Sequence, residues 1–97
     1  MEKVNIVFDG AFDDVDIIVI PNEISDNIEK IGQEFLDWVP DAEDSDYWQN
    51  KNGIRLCVAE TDGFIKWLNS FYCTGIKQAY VLERNTQYNP SFKCISF

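Results

Sequence analysis

Apolar and polar positions change period four times along this chain, and each change marks a new kind of element. Val4, Ile6 and Phe8 fall on one face of a period-two pattern, with Asn5 and Val7 on the other, which predicts a strand. Asp9-Gly10 is a turn signal. The segment Val15–Ile20 is almost wholly apolar and β-branched, the pattern of a strand covered on both faces and so central in a sheet. The two strands are expected to pair as a hairpin. Its loop is either tight at Asp9-Gly10 or extends over Asp9–Asp14.

The period then becomes helical. Ile24, Ile28, Ile31, Phe35 and Trp38 follow at steps of four, three, four and three, and Leu36 and Val39 widen the stripe. Asp26, Glu29, Lys30, Gln33, Glu34 and Asp37 fall between them and point to water. Asn22 is a fair N-cap, Glu23 suits the positive end of the helix dipole, and Pro40 forbids continuation. Gly32 costs about 1 kcal/mol against Ala in mid-helix. Its place beside Ile28 and Phe35 predicts a close approach of this backbone to the sheet.

Residues 41–53 read as a polar, acidic loop ending in Asn-Gly. Ile54, Leu56 and Val58 alternate with Arg55 and Cys57 as a third strand. Thr61 is expected to cap a second helix, with Asp62 in its first turn and an apolar face of Phe64, Ile65, Leu68, Phe71 and Tyr72. Gly75 is placed as its stop. Residues 76–83 form a fourth strand, residues 85–90 a loop, and Ser91–Phe97 a fifth strand. The expected fold is one α+β domain over residues 1–97, in the order β-β-α-β-α-β-β. A mixed or antiparallel sheet of about five strands carries both helices on one face.

Composition adds a lopsided charge. Residues 1–50 hold fourteen of the seventeen acids and two of the eight bases, a net −12, whereas residues 51–97 hold three acids and six bases, a net +3. Such a field attracts cationic surfaces and repels nucleic acid and anionic membrane. The longest uninterrupted apolar run is Ile17–Ile20, far short of the roughly 20 residues of a membrane span. With no basic, apolar leader at the start, a soluble cytoplasmic protein is expected.

Candidate chemistry is thin. Histidine is absent, which removes the commonest general base and metal ligand and the usual partner of a nucleophilic Ser or Cys. Cys57, Cys73 and Cys94 are an odd count without a C-x-x-C, and read as reduced thiols. Asp9, Asp13, Asp14 and Asp16 are the candidates for carboxylate catalysis or metal binding, and equally the solvated turn of an acidic protein. The run from Asp41 opens like a calcium loop. Its sixth position is Asp46 where Gly is required, and its twelfth is Asn52 where Glu is required. No P-loop, dinucleotide fingerprint or nucleophile elbow occurs. No cofactor, metal or enzymatic activity is therefore expected.

The most suggestive segment is Asp41–Lys51. Asp41, Glu43, Asp44 and Asp46 precede Tyr47 and Trp48, and aromatic anchors beside steering charges are a composition of protein-binding epitopes. Against this, Tyr47 and Trp48 would also serve as a lid folded back on the core. The leading expectation is a non-enzymatic inhibitor whose acidic surface occupies the basic, nucleic-acid-binding face of a partner protein, such as a nuclease or a nucleic-acid-guided enzyme. A toxin-immunity protein and a phage counter-defence protein both fit. The alternative is a small interaction or assembly module, homodimeric in one form, whose acidic surface serves solubility.

Overall fold

A computed structural model describes residues 1–8, 10–43, 47–57, 60–73 and 77–97. Strands β1 (Glu2–Val7) and β2 (Val15–Ile20) form the expected antiparallel pair, with Val4 opposite Ile18 and Asn5 opposite Ile17. Ala11 and Phe12 take part in the connection, so the longer of the two expected loops is the one formed. β5 (Tyr80–Thr86) lies antiparallel on the far side of β2, and β6 (Lys93–Ser96) lies parallel to β1. The result is a mixed four-stranded sheet in the order β5-β2-β1-β6, with β2 central as its composition demands.

Alternation sorts the side chains of the sheet. Val4, Ile6, Ile18, Ile20 and Ile95 face the helices and form the main core with Ile28, Ile31, Phe35, Phe64 and Leu68. Asn5, Val7, Ile17 and Val19 face the opposite way and are nonetheless buried. The connection 87–92 meets this face at Asn5, and it must carry the chain from the β5 edge to the β6 edge. Three strand spacings are about 14 Å, and six extended residues reach about 20 Å, so the crossing is feasible only as a nearly direct run over the face. Asn5 anchors it. Its Nδ2 donates to the carbonyls of Asn89 (2.8 Å) and Lys93 (3.2 Å), and its Oδ1 accepts the Asn89 N–H (3.0 Å). Phe12 and Tyr88 add an edge-on ring contact at 5.4 Å.

The predicted first helix is two helices. α1 (Asn22–Ser25) ends in a turn at Asp26-Asn27, where Asn27 leaves helical geometry with φ −123° and ψ 24°, and α2 (Ile28–Trp38) follows. The apolar stripe survives the break: Ile24, Ile28, Ile31 and Phe35 are all buried. Gly32 lies against β6 as its position predicts. A Cβ there would collide with Ile95 Cδ1 and stand 3.2 Å from Ile95 Cγ1. A 3₁₀ turn, Val39–Asp41, closes α2 around Pro40.

α3 (Thr61–Phe71) packs on the same face of the sheet, near β5. Neither expected cap holds. α3 starts at Thr61 itself with Glu60 before it at the cap position, and the Thr61 hydroxyl donates to Asp16 Oδ2 at 2.5 Å. Asn22 is likewise the first residue of α1, behind Pro21.

The main correction concerns the third predicted strand. β4 (Ile54–Cys57) does not enter the large sheet. It pairs with β3 (Trp48–Lys51), a strand inside the supposed loop, as a separate two-stranded hairpin. Asn52 and Gly53 take φ of 53° and 77°, the positive values of a two-residue type I′ turn. Closing two residues costs far less chain entropy than reaching the distant sheet. The sheet thus has four strands rather than five, and the hairpin accounts for the rest. β5 also begins later and ends later than residues 76–83. Two register irregularities and the acceptance of the Asn85 N–H by Asp16 Oδ1 carry it on to Thr86. The proposed stop at Gly75 and the end of the third strand at Val58 lie outside the described residues.

Candidate protein-docking surface

The outer side of α2 is built by the residues that its apolar stripe leaves to solvent. Glu29 and Asp37 are exposed there, and so are Asp41, which ends the 3₁₀ turn, and Glu43 just after it. Gln33 donates to Asp37 Oδ1 at 3.0 Å. Among the described residues no Lys or Arg lies within ion-pair distance of Glu29, Asp37, Asp41 or Glu43. Three other acids do have a cation. Asp62 holds Arg84 by two hydrogen bonds (2.7 and 3.0 Å), and Asp26 and Glu2 share Lys93 at 3.5 and 3.7 Å. Glu2 also accepts the Ser25 hydroxyl, which together with Lys93 holds its carboxyl below the usual range. The α2 side thus carries a ridge of carboxylates that make no ion pair among the described residues.

Of the residues singled out in the sequence, Asp41 and Glu43 are exposed at the end of this ridge. Asp44 and Asp46 lie outside the described residues. Tyr47 is placed differently from the anchor expected: it is only 3% exposed. Its ring meets Trp38 edge-on at 5.2 Å and Phe35 at 6.3 Å, and it rests 3.2 Å from where a Cβ of Gly63 would be. The missing Gly63 side chain makes the room, so Tyr47 is core. Trp48 is half-buried. Its Nε1 donates to the Ala42 carbonyl at 2.6 Å, and the Arg55 guanidinium sits 4.5 Å from its ring centroid. Trp48 thus ties the hairpin to the end of the ridge.

The first acidic group is also dispersed. Asp13 and Asp14 are exposed, and Asp9 lies outside the described residues. Asp16 spends both oxygens within the fold, on Thr61 and on the Asn85 N–H. Among the described residues no three His, Cys, Asp or Glu gather as metal ligands. Cys73 is buried, and burial pushes its thiol up from the ordinary value; Cys94 is half-buried. No helix among the described residues is long and apolar enough to cross a membrane.

Periodicity assigned Trp38, Phe71 and Tyr72 to the core; the structure packs Trp38 against its margin and leaves the other two outside. Phe71 is 58% exposed, Tyr72 is 41% exposed and Trp38 is half-buried. They line a seam where the last turn of α3 meets α2. Phe71 contacts Trp38 edge-on at 5.5 Å and Trp67 at 6.0 Å. The Tyr72 hydroxyl donates to Glu34 Oε2, and that bond holds the phenol above its ordinary pKa. The signal was available in the count. Phe64, Trp67, Phe71 and Tyr72 with Trp38 and Phe35 are more ring surface than one helical layer can bury. Beyond Tyr72 the seam opens into a groove of about 770 Å³ with Ile24, Ile31 and Cys73 at its base and Lys30, Lys77 and Glu23 around it.

The arrangement offers solvent a carboxylate ridge along one side of α2 and an aromatic seam along the other. No family model, curated protein or solved structure matches the chain.

Proposed function

We propose that this is a non-enzymatic, acidic inhibitor that works in the cytoplasm by occupying the basic, nucleic-acid-binding surface of a partner protein. The observation that supports the reading is the ridge: Glu29, Asp37, Asp41 and Glu43 are exposed along α2 and the segment after it, and none of them makes an ion pair among the described residues. Carboxylates left in this state favour an external cationic surface, which gains Coulomb energy and releases the partner's own counterions. A toxin-immunity protein or a counter-defence protein would both use such a face. The test is competition. A partner isolated from the native host should be released by rising salt and by duplex DNA or RNA. It should also fail to bind the triple variant Glu29→Lys, Asp37→Lys, Asp41→Lys. Retention that ignores nucleic acid and the triple variant alike would refute the reading.

A second reading, a self-associating assembly module, is favoured by the hairpin. Ile54 and Leu56 share its outward face, and they are 61% and 45% exposed. Sedimentation as a monomer at high micromolar concentration would remove it.

A further inference from the structure

Resting on the inhibitor reading, we infer that the α2–α3 seam is the anchor of the partner contact and that the side chain it takes is arginine. Three features of the seam carry this. Phe71 presents more than half its surface to solvent while Trp38 and Trp67 hold its ring from behind, so a stacking partner would lose little side-chain entropy on this side. Exposed aromatic surface of this kind, held in place, is the form that binding hot spots take. Glu34 stands one turn before Trp38 on α2, the i, i+4 spacing that sets the two side chains on one face. Glu34 uses Oε2 for Tyr72, and among the described residues its Oε1 accepts nothing. The seam therefore pairs flat ring surface with carboxylate oxygens.

That pairing selects between the two cations. A guanidinium stacks flat on a ring and offers a fork of N–H groups to a carboxylate in the same plane, whereas an ammonium is a compact, strongly hydrated charge that does neither as well. The molecule already uses the first arrangement internally, with Arg55 over Trp48 at 4.5 Å. Lys30, one turn before Glu34, makes no ion pair with it. Ridge and seam then divide the work: Glu29 and Glu43 steer, while Phe71, Trp38 and Glu34 discriminate.

Nona-arginine and nona-lysine peptides, equal in charge and length, separate the two contributions when titrated at low salt against the folded protein. Expected are shifts of the Trp38 indole and of the Phe71 and Tyr72 amides, and tighter binding of nona-arginine by about threefold or more, the lower range of an exposed cation–π contact. Phe71→Ala should abolish that preference while leaving nona-lysine affinity within about twofold, since steering charge is unchanged. Phe71→Leu serves in its place should the Ala variant melt early. Equal affinity for the two peptides, or a preference that survives Phe71→Ala and Phe71→Leu, overturns the seam but leaves the carboxylate ridge standing, provided both peptides still release with salt. Failure of both peptides to bind at low salt overturns seam and ridge together.

Discussion

Replacing Gly32 by Ala should destabilise the protein, against the intrinsic preference of a helix. In an open helix interior the exchange would stabilise by about 1 kcal/mol. Here the new methyl would collide with Ile95 Cδ1, and it would stand 3.2 Å from Ile95 Cγ1 and 3.5 Å from the Phe97 ring. Overpacking of a filled core costs about 1–3 kcal/mol. The net expectation is thus a loss between roughly zero and 2 kcal/mol, worth several degrees in Tm for a domain of this size. Ile95→Val removes the colliding Cδ1 at a cost of about 0.5–1.5 kcal/mol on its own. In that background Gly32→Ala should be neutral or stabilising, because the helix preference remains and the main collision is gone. Urea unfolding of the four proteins, followed by fluorescence of Trp38, Trp48 and Trp67, closes the cycle. A coupling of about 1 kcal/mol or more is expected. Additivity within about 0.5 kcal/mol, or a stabilising Gly32→Ala in the native background, would mean that α2 does not lie on β6 as described.

Ile31→Asp should leave the chain unfolded at 25 °C by circular dichroism, since a buried unpaired carboxylate costs several kcal/mol; a melt within a few degrees of the native protein would displace α2 from the core. Asn5→Leu should cost about 1–3 kcal/mol by stranding the Asn89 N–H and the carbonyls that Asn5 now serves, and amide exchange should speed up within residues 87–92 first. Cys73 should react with iodoacetamide far more slowly than Cys94 at pH 8, because burial keeps its thiol protonated and covered; equal rates by peptide mass mapping would contradict that packing. Tyr72 has a folded pKa raised above the unfolded 10.0 by its bond to Glu34. The stability it contributes is full below pH 10 and lost as pH rises through the folded value, and Tyr72→Phe should flatten the alkaline limb of stability against pH.

The large sheet's first hairpin and both helical stripes were legible because each is written in a local period. Val15–Ile20 could be placed in the centre from composition alone, since only a strand covered twice can be so uniformly apolar. The hairpin β3–β4 was half-missed for the opposite reason. Trp48–Lys51 is a polar strand with little to bury, so it leaves no alternation, and the Asn52-Gly53 signal was seen without the strand that enters it. Tyr47 shows the limit for the site. An aromatic residue after an acidic run reads as an epitope, and only the absence of a side chain at Gly63, sixteen residues on, decides that it goes inward. Phe71 and Tyr72 fail in the other direction. Their helical phase matches Phe64 and Leu68, but phase cannot say how far the opposing layer extends, and both stay exposed at the end of α3.

The parallel pairing of β1 with β6 has a consequence for how the chain reaches its folded state. Val4 lies beside Lys93, so the sheet is closed by residues 89 positions apart. During synthesis β1, β2 and the helices emerge long before their last neighbour, and until residues 93–96 are free the open edge of β1 presents unpaired amides and the flank of Ile6. The Asn5 side chain waits as well, since its partners at 89–93 arrive at the same moment. Closure over such a separation makes folding slow for a protein of this length, and the half-made sheet is the species that a chaperone, or another strand, would meet first.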